Sequence, residues 1–164
     1  MRNKKALFLT QAAMIAAIYV VLTYFISAFD LASGAIQVRI SEALTILPVF
    51  TPAAIPGIWL GCLLSNLLTG CVIWDVVFGS LASLIGAVGT YLLRRHRWLA
   101  PIPPIVSNIL IVPFILAYAY GAPDSIPFLM VTVGIGEVVS CYILGSILLS
   151  LLSKYRNILF LNEK

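Results

Sequence analysis

The run from Ala6 to Ala28 carries no charged side chain, and it constrains the chain more than any other feature. It exceeds the about 7–15 residues of a signal-peptide core. It reaches the about 20 residues that take a helix across a bilayer. Five further apolar stretches follow, at Ile40–Val49, Ile55–Leu68, Val76–Leu93, Ile105–Tyr120 and Pro127–Leu152. This pattern predicts an all-α integral membrane protein with six transmembrane helices, folded as a single domain over residues 1–164. Composition agrees: the chain is 62% hydrophobic and 10% charged, with a mean hydropathy of +1.08. Soluble domains are about 45–50% apolar and about 25% charged. The second and third stretches are short and also fit one re-entrant hairpin. Two crossings are expected, because Glu42 and Asn66 then line a protein interior instead of lipid.

Basic residues set the expected orientation. Arg2, Lys4 and Lys5 precede the first stretch. Arg94, Arg95 and Arg97 follow the fourth, and Lys154, Arg156 and Lys164 follow the sixth. With six crossings all of these lie on one side, so both termini are expected in the cytoplasm. Arg39 falls on the opposite side with Asp30, Asp75 and Asp124. The loop AAIPG and the cluster PIPP are expected to mark turns on the cytoplasmic side.

The few polar residues inside apolar stretches are the candidates for function. Arg39 and Glu42 stand at i and i+3 in QVRISEALTILP, on one helix face. They read either as an ion pair at a helix entrance or as a polar site open to the outside. Glu137, in VTVGIGEVVSCYILG, lies about 15 Å into the last helix at 1.5 Å per residue. No basic residue in that helix neutralises it. It reads as a ligand group, as a partner of Arg39, or as a protonated acid. Ionisable residues at such depth are costly and mark functional paths. Gly134 and Gly136 beside it leave room for close approach to the backbone. Asn108, in PPIVSNILIVPF, either binds a ligand or ties two helices together. Asn66, Trp74 and Asp75 belong to the outer mouth, with Trp74 either a stacking lid or an interfacial belt residue. In the first stretch, Ala12 and Ala16, and Ala13 and Ala17, are spaced for close helix approach, as are Gly57 and Gly61. Internal packing and partner docking both use this spacing.

Catalytic and nucleotide motifs are missing. There is no GxSxG, HExxH or Walker pattern, and no histidine within a span. His96 sits in the basic segment RRHRW. Cys62, Cys71 and Cys141 form no CxxC pair and read as small hydrophobes, so no metal site and no enzyme activity is expected. Nothing points to nucleic acid. An energised transporter of this size needs its motor from another chain.

QVRISEALTILPVFTPAAIPGIWLGCLLSNLLTG, DVVFGSLASLIGAVGTYLLRR, PIPPIVSNILIVPF and VGIGEVVSCYILG together resemble the QueT family. These are substrate-binding S components of energy-coupling factor (ECF) transporters for queuosine precursors. The resemblance covers about residues 6–152, with RISEAL and GIGE its most specific parts. It implies an S-component-like six-helix bundle in the bacterial cell membrane. It also implies two sorts of partner: a transmembrane coupling protein, and two ATPases that carry the ATP and Mg. No cofactor is then implied in this chain. Ala12, Ala13, Ala16 and Ala17 would meet the coupling protein. The implied ligand is a 7-deazaguanine such as preQ1, preQ0 or queuine. Its ring N–H and amino group suit a carboxylate, Glu137 or Glu42. Its carbonyl suits a donor, Asn108 or Arg39, and Trp74 suits stacking on the ring. The cationic aminomethyl group of preQ1 suits a second carboxylate, Glu42 or Asp75. The rival readings are the same fold for another heterocyclic vitamin, and a membrane enzyme or structural membrane subunit.

Overall fold

The computed structural model describes the backbone of residues 4–28 and 38–159, with side chains at 4–27 and 38–155. Arg2, Asp30 and Lys164, and the side chain of Arg156, lie outside the described residues. The order is α1 (Lys4–Ala28), a 3-10 helix (Ile40–Val49), α2 (Ala54–Leu68), α3 (Ile73–Leu92), α4 (Ile102–Tyr118) and α5 (Ile126–Glu137). From α5 the chain continues through a π-helical turn (Val138–Leu144) into α6 (Gly145–Leu159). Among the described residues there is no strand. The six apolar stretches of the sequence and the helical segments coincide to within a few residues.

Lys4–Ser27, Ile73–Leu92 and Ile126–Tyr155 are long and apolar enough to cross a membrane, and the 3-10 helix, α2 and α4 are apolar but shorter. The 15 residues of α2 rise about 22 Å, against a hydrocarbon core of about 30 Å.

Pro48 lies inside the 3-10 helix, where its missing N–H leaves one gap in the backbone ladder. A 3-10 helix rises about 2.0 Å per residue, so its ten residues reach about 20 Å where an α-helix would reach about 15 Å. That reach carries the segment from the Asp75 corner towards the basic residues that follow α3. At its start Arg39 lies 4.0 Å from Asp75, in the first turn of α3. Just beyond its end, Thr51 donates to Gln11 of α1 at 3.1 Å. There Pro48 and Phe50 line a cavity with Tyr91, Arg94, Arg95, Arg97 and Ser153. The basic segment after α3 and the C-terminal part of α6 therefore share one end, as the charge pattern predicts. Arg39 is at the other.

Polarity is inverted relative to a soluble bundle. Leu9, Val21, Leu68 and Leu92 are each more than half exposed, while Ser41, Glu42, Thr45, Asn66, Asp75, Asn108 and Glu137 are buried. Such an exterior suits lipid as solvent, with polar groups satisfied inside.

The four alanines of α1 divide. Ala12 and Ala16 are buried against α2, where a Cβ on Gly57 would stand 2.8 Å from the Ala12 carbonyl and one on Gly61 3.2 Å from Ala16 Cα. Ala13 and Ala17 face outward and are exposed. The expectation that all four present one docking face is corrected. Two close the α1–α2 seam, and two remain on the surface. The proline-rich segments also differ from expectation. Pro56 stands in the first turn of α2, and Pro103 and Pro104 in the first turn of α4. Proline there forfeits no helical hydrogen bond, so these residues open helices and do not form turns. The left-handed positions belong to Gly70 and Gly121, at φ 75° and 66°. They follow α2 and α4, where glycine relieves the strain of leaving a helix.

Candidate functional site

Two polar sets lie one above the other. The upper set surrounds a cavity of about 440 Å³ lined by Arg39, Ser41, Asn66, Asp75 and Tyr120, with Thr23, Val112 and Ile115 among its other walls. Asp75 organises it. Its Oδ2 accepts from the Tyr120 hydroxyl at 3.0 Å and lies 4.0 Å from Arg39 Nη2. Its backbone carbonyl accepts from Asn66 Nδ2 at 3.3 Å. Gly79 keeps this corner open, since a Cβ there would stand 2.7 Å from Asp75 Oδ1.

The lower set is centred on Glu42 and Glu137, both buried. Glu42 Oε1 accepts from the Tyr19 hydroxyl. Its Oε2 is buried without a well-formed hydrogen bond, and the Ser83 side chain also stands beside Glu42. Glu137 Oε2 accepts from the Cys141 thiol at 3.1 Å, and the Asn108 side chain stands beside Glu137. One ligand atom each from Glu42, Glu137 and Cys141 lie within 4.8 Å of one another. Thr45 and Cys141 pack around the Glu42 carbonyl, the Thr45 hydroxyl donating to it at 2.6 Å. Two carboxylates and a thiol in a dry setting form a donor set for a cation or for several N–H groups.

The sets are one helical turn apart. Tyr19 touches Glu42, and Thr23, four residues on, lines the cavity and donates to Ser41 at 2.8 Å. On α4, Asn108 touches Glu137, and Val112 lines the cavity. Four residues of α-helix advance about 6 Å. The carboxylate pair therefore lies next to the cavity, with Ser41 lining the cavity and Glu42 adjacent in the chain.

Six of the residues singled out in the sequence join these sets: Arg39, Asn66 and Asp75 above, Glu42, Asn108 and Glu137 below. Trp74 does not. It is 59% exposed and stacks on Phe78 with centroids 5.9 Å apart, on the outer face of α3. Neighbouring helix positions point about 100° apart, so the turn of α3 that directs Asp75 inward directs Trp74 outward. Of its two readings, the exposed position fits the interfacial belt residue and not the stacking lid. Tyr19, Tyr120 and Cys141 enter the site without having been singled out for it. Ala12, Ala16, Tyr19 and Thr23 follow the four-three-four spacing of one helix face, and Cys141 stands four residues after Glu137. Those spacings were legible. Tyr120, beyond the end of α4, carried no local signal. The structure turns Cys141 from a small hydrophobe into a hydrogen-bond donor to Glu137.

An apolar exterior around a polar, acid-bearing interior, with three helices long and apolar enough to cross a membrane, is consistent with a membrane protein. The family model described as QueT transporter matches residues 9–154. The chain belongs to the QueT transporter family. A relative, "Queuosine precursor transporter QueT" of Lactococcus lactis subsp. cremoris (strain MG1363), is 32% identical over 98 residues, which cover 59% of this chain and 57% of that protein. The match thus spans little more than half of that relative's length. No solved structure matches the chain.

Proposed function

We propose that this chain is the substrate-binding S subunit of an ECF transporter, and that it imports a 7-deazaguanine queuosine precursor: preQ1, preQ0 or queuine. The observation that carries the proposal is the buried Glu42–Glu137 pair next to a polar cavity. A cavity of about 440 Å³ falls within the about 300–1,000 Å³ usual for small-molecule sites. A deazaguanine presents ring N–H and amino donors that suit carboxylates and a carbonyl that suits Arg39 or Asn66. The printed name of the Lactococcus relative supports the same ligand class. Calorimetry on the purified chain with the three deazaguanines tests the reading. No measurable binding of any of them removes it.

ATP hydrolysis belongs in this proposal to two partner ATPases joined by a coupling protein, since the sequence carries no Walker motif. The chain then crosses the bacterial cell membrane six times, with both termini in the cytoplasm. The gathering of Arg94, Arg95 and Arg97 beside Ser153 of α6 favours this topology. Cysteines introduced near residues 3, 96 and 160 are expected to resist impermeant reagents in intact cells. Labelling of any one from outside overturns it.

The coupling protein would meet the outward face of α1 at Ala13 and Ala17. Ala13→Leu is expected to lower uptake while ligand affinity stays within about twofold, because it obstructs only close helix approach. Ala16→Leu meets α2 instead and should cost about 1–3 kcal/mol of stability through overpacking. Uptake and melting measured on both variants check this. Normal uptake by Ala13→Leu removes the docking assignment.

A further inference from the structure

We infer that the basic cavity between the end of the 3-10 helix, the segment after α3 and α6 binds the phosphate headgroup of an anionic phospholipid. This site is separate from both polar sets, and the solute reading neither needs it nor supplies it.

The cavity holds about 600 Å³ and is lined by Arg94, Arg95 and Arg97, with Tyr91, Phe50 and Ser153 among its other walls. Among the described residues no carboxylate lines it. The acids described lie elsewhere: Glu42 and Glu137 in the buried pair, Asp75 against Arg39, and Asp124 exposed between α4 and α5. Each guanidinium offers five N–H donors in a planar fork, and that fork matches two oxygens of a phosphate. Three such forks around one cavity, with no anion of the chain's own among them, suit an anion from outside.

Arginines at a helix end also orient a membrane protein, but orientation requires neither a cavity nor a fixed geometry. Here the geometry is fixed. Arg94 donates from Nη1 to the Tyr91 carbonyl at 2.9 Å and stacks over the Tyr91 ring, 4.1 Å from its centroid. Such stacking holds a guanidinium in place. Thr90, which is buried, donates to the Ala100 carbonyl at 2.8 Å. The amides of His96 and Ala100 donate to Leu93 and His96, so the loop that bears the arginines is pinned at both ends. Side chains and loops ordered beforehand cost less to order on binding.

Depth selects a lipid over a soluble anion. Pro48, Phe50 and Leu149 give the cavity a buried apolar floor. Leu92, Trp98 and Leu151, each within two residues of a lining residue, are all more than half exposed. The ring of donors therefore passes directly into lipid-facing surface, along which acyl chains can lie. An exposed tryptophan beside arginines marks the headgroup level, and basic pockets between membrane helices at that level suit anionic lipids.

The full chain, purified in a neutral detergent, is titrated with short-chain phosphatidylglycerol, short-chain phosphatidylcholine and inorganic phosphate. Binding is read by native mass spectrometry and by melting. Phosphatidylglycerol is expected to bind about tenfold or more tightly than phosphatidylcholine, and it alone should raise the melting temperature. Arg94→Lys keeps the charge but loses the fork and the stacking, and should weaken phosphatidylglycerol binding at least about threefold. Lys154→Gln removes an exposed charge outside the lining and should leave binding within about twofold. Equal binding of the two lipids by the wild-type chain overturns the site, and that comparison depends on no variant. Equal losses in Arg94→Lys and Lys154→Gln also overturn it, by reducing it to diffuse attraction. Inorganic phosphate that binds as tightly as the lipid makes the occupant a soluble anion. Hexaglutamate that binds more tightly than phosphatidylglycerol makes it a protein partner. Either of these results overturns the lipid assignment.

Discussion

Glu137→Gln is expected to weaken binding of 7-aminomethyl-7-deazaguanine at least tenfold. The amide nearly keeps the shape of the carboxylate but replaces one acceptor with a donor. Glu137 already receives the Cys141 thiol, so its remaining acceptor capacity is what a ligand uses. With glutamine there, an N–H faces the ligand's own N–H. One charge-assisted hydrogen bond is lost and two donors oppose each other. Hydrogen bonds to charged groups contribute about 1.5–3 kcal/mol, and each 1.4 kcal/mol is about tenfold in affinity. Asp124→Asn serves as the control, because Asp124 is exposed and belongs to neither polar set. Calorimetry on both variants, with folding verified by melting, decides the outcome. Wild-type affinity in Glu137→Gln removes Glu137 from the site and leaves Glu42 as the leading carboxylate.

Burial in this chain follows chemistry that a sequence displays openly, and that explains what was legible. Apolar runs bounded by charges and prolines mark the helices, so all six segments could be bounded from residue types alone. Charged residues inside such runs are expensive in lipid, so Glu42 and Glu137 identify themselves as interior groups. Which of them meet is another matter. Glu42 and Glu137 are far apart in the chain, and only the docking of the π-helical turn against the 3-10 helix brings them together. Helical phase was the other hidden quantity. Trp74 and Asp75 are adjacent in sequence and were assigned to one mouth, yet they point to lipid and to cavity. Ala12 and Ala13 separate in the same way. A polar neighbour on a helix reports only that some face is polar. The buried stripe, read here through Ala12, Ala16 and Tyr19, fixes which one.

That stripe ties packing to the ligand site, and Gly61→Ala is expected to expose the link. The new Cβ would stand 2.7 Å from Tyr19 Cβ, 3.0 Å from its Cγ and 3.2 Å from Ala16 Cα. Tyr19 is 1% exposed, and the clash falls at the root of its side chain, where rotation gives no escape. The α1–α2 seam must widen, and overpacking of this kind costs about 1–3 kcal/mol. Tyr19 also carries the hydroxyl that donates to Glu42. A displaced Tyr19 leaves Glu42 Oε1 as bare as Oε2, so the carboxylate loses the contact that orients it toward the ligand. Gly57→Ala provides the comparison. Its Cβ would meet the Ala12 carbonyl at 2.8 Å and Ile15 Cβ at 3.0 Å, on the same seam but away from Glu42. Both variants should melt lower than wild type, and Gly61→Ala alone should lose affinity for the deazaguanine, by roughly the tenfold that one misplaced buried hydrogen bond implies. Wild-type affinity in a destabilised Gly61→Ala severs the link between seam and site. Equal losses in both variants reduce it to a general loosening of the bundle.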